Sequence, residues 1–232
     1  LTIGIDIGGT NTKFGIVDRE GHVIHQGSIR TTDYDEFRDY FKGLCQALRD
    51  AMASVQIANK VIGIGVGAAN GNYYKGTIER ATNLPWKGII PLADMLKEEF
   101  QIPAIITNDA NAAAVGEMVY GSAKGMKDFI VITLGTGLGS GFVANGQLLN
   151  GKHGIAGEVG HTSVNPAGRY CNCGKRGCLE TYVSATGIRR TVYKLLADHL
   201  EDSELRGISF DNLNTKMITD AAVRGDVVAL AA

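Results

Sequence analysis

LTIGIDIGGTNTKFGIVDREGHVI, residues 1–24, and DFIVITLGTGLGSGFVANGQLLNG, residues 128–151, share one layout. Each has an apolar, β-branched run, a turn of glycine and threonine, a second run, an X-Gly turn and a third run. In the first copy the runs at 3–7, 13–18 and 22–29 are expected as strands, since branched side chains bounded by glycine suit a pleated sheet with tight turns. Gly8-Gly9-Thr10 in the first copy corresponds to Gly135-Thr136-Gly137 in the second.

Outward from the first copy, residues 33–54 change to a helical period. Phe37, Phe41, Leu44, Leu48, Met52 and Val55 recur at steps of three and four, which puts them on one helix face. Cys45 shares that face and is expected as a core residue. A buried strand at 61–66, a helix near 91–100, a strand at 104–107 and a helix at 110–119 complete a β-β-β-α-β-α-β-α unit. The second copy lacks its later strands: helices are expected near 185–200 and near 214–223, with GDVVALAA (225–232) starting another. Two related halves predict an α/β protein of two domains around a cleft. Residues 1–109 form the first domain with its glycine turn, and residues 110–232 an incomplete second. The apolar run FIVITL (129–134) has the composition of a strand buried on both faces, but with no fourth strand following, its hydrogen-bonding edge and the apolar faces beside it are expected to be open. These 232 residues are therefore expected to be part of a longer chain, binding nucleotide poorly by themselves.

Composition narrows the function. Apolar residues make up 44% and charged residues 20%, with a net charge of −1 and no basic stretch. Nucleic acid and membrane surfaces are thus not expected partners, and a small molecule is. No run approaches the roughly 20 apolar residues of a membrane span. The chain opens on a core strand without a signal peptide, so a cytoplasmic location is expected.

Glycine turns without Cβ atoms let backbone N–H groups approach phosphate oxygens. Gly8, Gly9, Thr10, Asn11, Thr12 and Lys13, with Gly135, Thr136 and Gly137, are the candidates, and a tight hairpin is the plainer alternative for either turn alone. GQLLNGKH (146–153) follows the Walker pattern until His153 stands where Ser or Thr is needed. GTGLGSG is followed by a strand, so the helix N-terminus that would hold a dinucleotide pyrophosphate is missing.

The chain has four cysteines, three of them at 171–178. His161-x9-Cys171-x-Cys173-x4-Cys178 supplies an imidazole and three thiols, the ligand set of a closed tetrahedral zinc site. Disulfides compete with this reading, but the odd count and a reducing compartment disfavour them. Asp109, in TNDAN at the end of a strand, reads equally as a helix N-cap or as a catalytic carboxylate.

DIGGTNTKFGIV, TNDANAAAVGE, LGTGLGSG, GIAGEVGH and CNCGKRGCLE, in this order, resemble the ROK family of sugar kinases and transcriptional repressors. The resemblance covers essentially the whole chain. It departs from the family pattern at GVGAANG (65–71), where the family has G-x-P-G. It implies the duplicated ribonuclease-H-like fold of sugar kinases, actin and heat-shock ATPases, and ATP-dependent phosphorylation of a hexose 6-hydroxyl, glucose being the expected sugar. Fructose or N-acetylmannosamine kinases and sugar-responsive repressors are the alternatives within the family. The repressors carry an N-terminal helix-turn-helix, for which this stretch has no basic helix. The resemblance makes Asp109 the catalytic base and Asp6 the carboxylate that holds Mg²⁺ through water. It makes Asn83, Asn108, Glu158, His161 and Glu180 sugar contacts, and the zinc loop 161–178 the support of that pocket, with His161 serving both metal and sugar. A homodimer is compatible with it.

Overall fold

The computed structural model describes residues 1–56, 60–81 and 83–232. Strands β1 (Thr2–Ile7), β2 (Asn11–Val17) and β3 (Val23–Arg30) form an antiparallel meander, followed by α1 (Phe37–Ser54) and β4 (Ile64–Ala68). Short strands β5 (Gly71–Asn72), β6 (Thr77–Glu79) and β7 (Ile89–Ile90) form a sheet of their own. Then come α2 (Leu92–Phe100), β8 (Ala104–Thr107) and α3 (Asp109–Val119). The main sheet has the order β3-β2-β1-β4-β8, with β1 parallel to β4 and β4 parallel to β8.

Period-two alternation buries Ile3, Ile5 and Ile7 of β1 with Phe14 and Ile16 of β2. Tyr40, Leu44, Cys45, Leu48, Ala51 and Met52 of α1 are buried in the same core. The buried centre of α1 thus passes through Tyr40 and Cys45, while Phe37 and Phe41 are only half-buried. The Trp86 ring packs on this end of the helix, 4.2 Å from that of Tyr40 and 5.4 Å from that of Phe37. Cys45 is a core residue, and burial pushes its thiol up to about 11.

The later strands β9 (Phe129–Leu134), β10 (Leu138–Ala144) and β11 (Gln147–Leu148) form a sheet in the order β11-β10-β9. Among the described residues nothing pairs with the outer edge of β9. Ile130, Ile132 and Leu134 are 54%, 54% and 64% exposed, in line with the open edge and open apolar faces expected of a strand with no further neighbour. Helices α4 (Glu180–Val183), α5 (Ala185–Asp198), α6 (Thr215–Val223) and α7 (Val227–Ala231) follow. Val192, Leu196, Leu205, Leu213, Ile218 and Val228 make a separate small core around α5–α7.

The chain divides into two compact units. The first comprises Leu1–Val131 with Gly141–Gly157, and the second Ile132–Ser140 with Glu158–Ala232. Among the described residues no helix is long and apolar enough to cross a membrane.

Candidate active site

In the first unit the candidate residues Asp6, Asn108 and Asp109 gather at the carboxyl ends of the parallel strands β1, β4 and β8. Ligands of open α/β sheets bind at such ends, beyond the last paired residues. Asp6 lies opposite Lys13 on one side and Gly67 on the other, and Gly67 lies opposite Thr107. The protein packed around Asp6, and then the negative charge of Asp109, raise its carboxyl above the ordinary value, while Lys13 pulls it down. A Cβ at Gly67 would stand 3.3 Å from the Ala112 Cβ and 3.5 Å from the Asp109 Cα. Glycine there therefore lets the start of α3 approach β4.

Asn108, not Asp109, caps α3. Its Oδ1 accepts from the amides of Ala110 and Asn111 at 2.9 and 3.4 Å. Capping satisfies N–H groups that the first helical turn cannot pair. The Asp109 carboxylate accepts from the Ala110 amide at 2.9 Å, and its residue is exposed. The helix cap is thus made by Asn108, and the Asp109 side chain faces solvent.

The first glycine turn closes with the Gly8 amide donating to the Asn11 carbonyl at 3.0 Å. A Cβ on Gly9 would run into the carbonyl of Asn83, so that glycine admits a neighbouring stretch of the protein. Thr10, Asn11 and Lys13 are exposed, as is Asn83. Thr12 differs from expectation. It is fully buried, with its Oγ1 2.8 Å from the Tyr40 hydroxyl and 3.0 Å from that of Thr31. Thr31 Oγ1 in turn donates to the Gly8 carbonyl at 2.8 Å. Thr12 is therefore no phosphate donor; it anchors a hydroxyl chain under the turn. Tyr40 and Thr31 were missed because they lie 28 and 19 residues away. The signal was the alternation that puts Thr12 on the same face as Phe14 and Ile16.

In the second unit His161, Cys171, Cys173 and Cys178 converge, their ligand atoms all within 4.8 Å of one another. Cys173 Sγ and Cys178 Sγ stand 3.6 Å apart, unbonded, and Cys171 Sγ lies 3.6 Å from His161 Nδ1. A tetrahedron with metal–sulfur and metal–nitrogen bonds of about 2.3 and 2.0 Å has edges of roughly 3.5–3.8 Å, which these two separations match. Burial pushes the Cys171 thiol up to about 12, and the neighbouring thiols add to it. Thiols packed this closely ionise together only around a cation.

His161 ends a 3-10 turn, Val159–His161, whose Gly160 packs against the Leu138 carbonyl. With Nδ1 facing the cysteines, its Nε2 faces the Glu158 carboxylate at 4.0 Å. Glu180 starts α4; its Oε2 accepts from the Leu138 amide at 2.9 Å, and its Oε1 lies 3.9 Å from Cys171 Sγ. Of the second turn, Gly135 faces open space, whereas a Cβ on Gly137 would run into the Glu180 carboxylate. Arg169 also escaped sequence reasoning. It stacks 4.7 Å from the Tyr182 ring and donates to the carbonyls of Thr181 and Gly187, fastening the cysteine loop to α4 and α5.

A duplicated glycine turn, a free aspartate at the strand ends and a His-Cys₃ cluster define a class. Residues 2–232 match the model of the ROK family, and the chain belongs to that family. It is 40% identical to a glucokinase of Halalkalibacterium halodurans, over 98% of this chain and 70% of that protein. It is 37% identical to a glucokinase of Streptomyces coelicolor, over 82% of this chain and 58% of that protein. A ROK family glucokinase from Streptomyces griseus, crystallised with glucose and AMPPNP, matches with a TM-score of 0.79 at 36% identity. That match covers 100% of this chain and 73% of the other.

Proposed function

We infer that the protein is an ATP-dependent hexose kinase acting on the 6-hydroxyl of glucose. The observation that carries this reading is the Asp109 carboxylate, relieved of capping by Asn108 and set at the strand ends beside Asp6. Transfer of a phosphoryl group to a hydroxyl needs a proton acceptor at the attacking oxygen and positioning of the two reactants; the remainder is charge stabilisation. Asp109 accepts the proton as the hydroxyl oxygen bonds to the γ-phosphorus and the bridging oxygen leaves with ADP. Asn108 Nδ2 donates to the sugar. The glucokinase relatives, and the glucose and AMPPNP of the Streptomyces griseus protein, support the choice of substrates.

Asp6 is the residue that would hold Mg²⁺ through water, and the ion would offset phosphate charge. Amides and hydroxyls of the two glycine turns, without Thr12, are the phosphate donors, and Asn83 is a sugar contact. In the second unit Glu158 and the His161 Nε2 are acceptors and donors for hexose hydroxyls. Zinc would occupy the His-Cys₃ cluster, fixing the His161 ring through Nδ1 and leaving Nε2 free. A thiol-bound zinc site of this kind fits the reducing cytoplasm.

The test is a coupled assay on the protein expressed from its complete reading frame, with glucose, fructose, mannose and N-acetylmannosamine as acceptors. Glucose should give the highest kcat/KM. Asp109→Asn should lose about 10³-fold or more in turnover, the combined worth of a base and its positioning, while glucose still binds. Wild-type turnover in a folded Asp109→Asn protein would remove the assignment.

A further inference from the structure

We propose that Glu180 is a positioning residue that couples the His-Cys₃ loop to the second glycine turn, so that filling the cluster with zinc sets the backbone of Gly135–Leu138. The inference rests on the kinase reading only in taking that turn as a phosphate loop.

The geometry is local to the second unit. Glu180 follows Cys178 by two residues and Oε1 faces the Cys171 sulfur, so the carboxylate sits where the cluster's loop ends. Its other oxygen, Oε2, accepts the Leu138 N–H at 2.9 Å. A carboxylate bonded to a backbone amide is a charge-assisted hydrogen bond, among the stronger kinds a protein makes. Gly160, next to His161, packs on the carbonyl of the same Leu138. Both sides of one residue are therefore held from the cysteine loop and its flanks. Ala185, at the start of α5, adds a further tie by donating its amide to the Gly135 carbonyl at 2.9 Å.

Gly137 makes the coupling reciprocal. The carboxylate occupies the space that a side chain at 137 would need, so glycine at 137 is what lets Glu180 reach the Leu138 amide in this position. Leu138 itself is buried, at 6% exposure, which strengthens the carboxylate's hold relative to a fully solvated bond. When the cluster is empty its loop loses the four-point anchor, and the hold of Glu180 on Leu138 loosens with it.

Amide hydrogen exchange of the ¹⁵N-labelled protein reads this directly, without sugar, nucleotide or turnover, so its failure is separate from failure of the kinase reading. In the zinc-loaded wild type the Leu138 amide should exchange slowly. Glu180→Ala should speed it by about 10- to 100-fold, the worth of one charge-assisted bond, and Glu180→Gln, which keeps an oxygen acceptor, should restore most of the protection. Chelating the zinc should speed Leu138 in the wild type and add little in Glu180→Ala, while the Thr31 amide of the first unit stays unchanged. Should Glu180→Ala fail to fold, Gly137→Ala puts the same question from the other side, by expelling the carboxylate and exposing Leu138 to exchange. Leu138 exchange that ignores Glu180, Gly137 and the metal alike would overturn the proposal, as would loss of protection in Glu180→Ala that zinc removal in the wild type does not reproduce.

Discussion

The turn at Gly8–Thr10 is held through its carbonyl, which accepts from Thr31, itself joined to Thr12 and through it to Tyr40 in the core. The turn at Gly135–Gly137 is held through the next amide, which donates to Glu180 at the end of the cysteine loop. One support is a buried chain of neutral hydroxyls, and burial lifts the Tyr40 phenol above its ordinary value so that it stays a hydroxyl. The other is a carboxylate at the end of the loop that carries the His-Cys₃ cluster. Duplication kept the turn in both halves but not what braces it. The first turn should therefore ignore metal, and the second should follow it.

The largest effect should come from the metal side. Cys173 is the exposed member of the cluster, so Cys173→Ser removes a ligand without opening the core. It should cost about 4 kcal/mol or more of unfolding free energy, the size associated with a lost metal site. Elemental analysis should fall from about one zinc per chain toward none. Denaturant unfolding followed in the second unit would show the loss; an unchanged midpoint would mean that the cluster braces nothing.

A smaller loss is expected from Thr12→Val. The change leaves the buried Tyr40 hydroxyl without a partner, at about 1–3 kcal/mol. Zinc content should stay at the wild-type level. A variant that unfolds at the wild-type midpoint, or one that loses zinc, would break the contrast between the two turns.

The smallest effect concerns Asp6. Its folded value is raised, so the folded state binds more protons than the unfolded chain between the ordinary carboxylate value and the raised one. Stability from this group is thus present at low pH and lost as pH rises through that window. Paired thermal scans should show Asp6→Asn gaining on the wild type across the window and then holding a constant lead. A difference that does not change with pH would mean that neither burial nor the Asp109 charge raises the Asp6 carboxyl.

Much of this was legible in the chain. The β1–β3 meander follows from alternation broken by glycine, and the His-Cys₃ cluster from its short spacing, because neither needs distant contacts. Boundaries shifted where pairing rather than composition sets them. The strand expected at 61–66 is Ile64–Ala68, since parallel pairing with β8 carries on through Gly67. The α3 cap fell on Asn108 because its side chain reaches the helix amides from outside the first turn. The supports of the turns were not legible, since Thr12 meets Tyr40 across 28 residues and Leu138 meets Glu180 across 42. In β9 the apolar run resembles that of an inner strand, and Ile130, Ile132 and Leu134 are exposed, as expected where no further strand pairs with it among the described residues.

The most direct test of the account is a titration of zinc out of the protein with a chelator, following metal content and glucose affinity by calorimetry on the same samples. His161 is proposed to hold metal through one nitrogen and sugar through the other, so glucose binding should fall in step with zinc and return when zinc is restored. Metal-free, folded protein that binds glucose with unchanged affinity would contradict it.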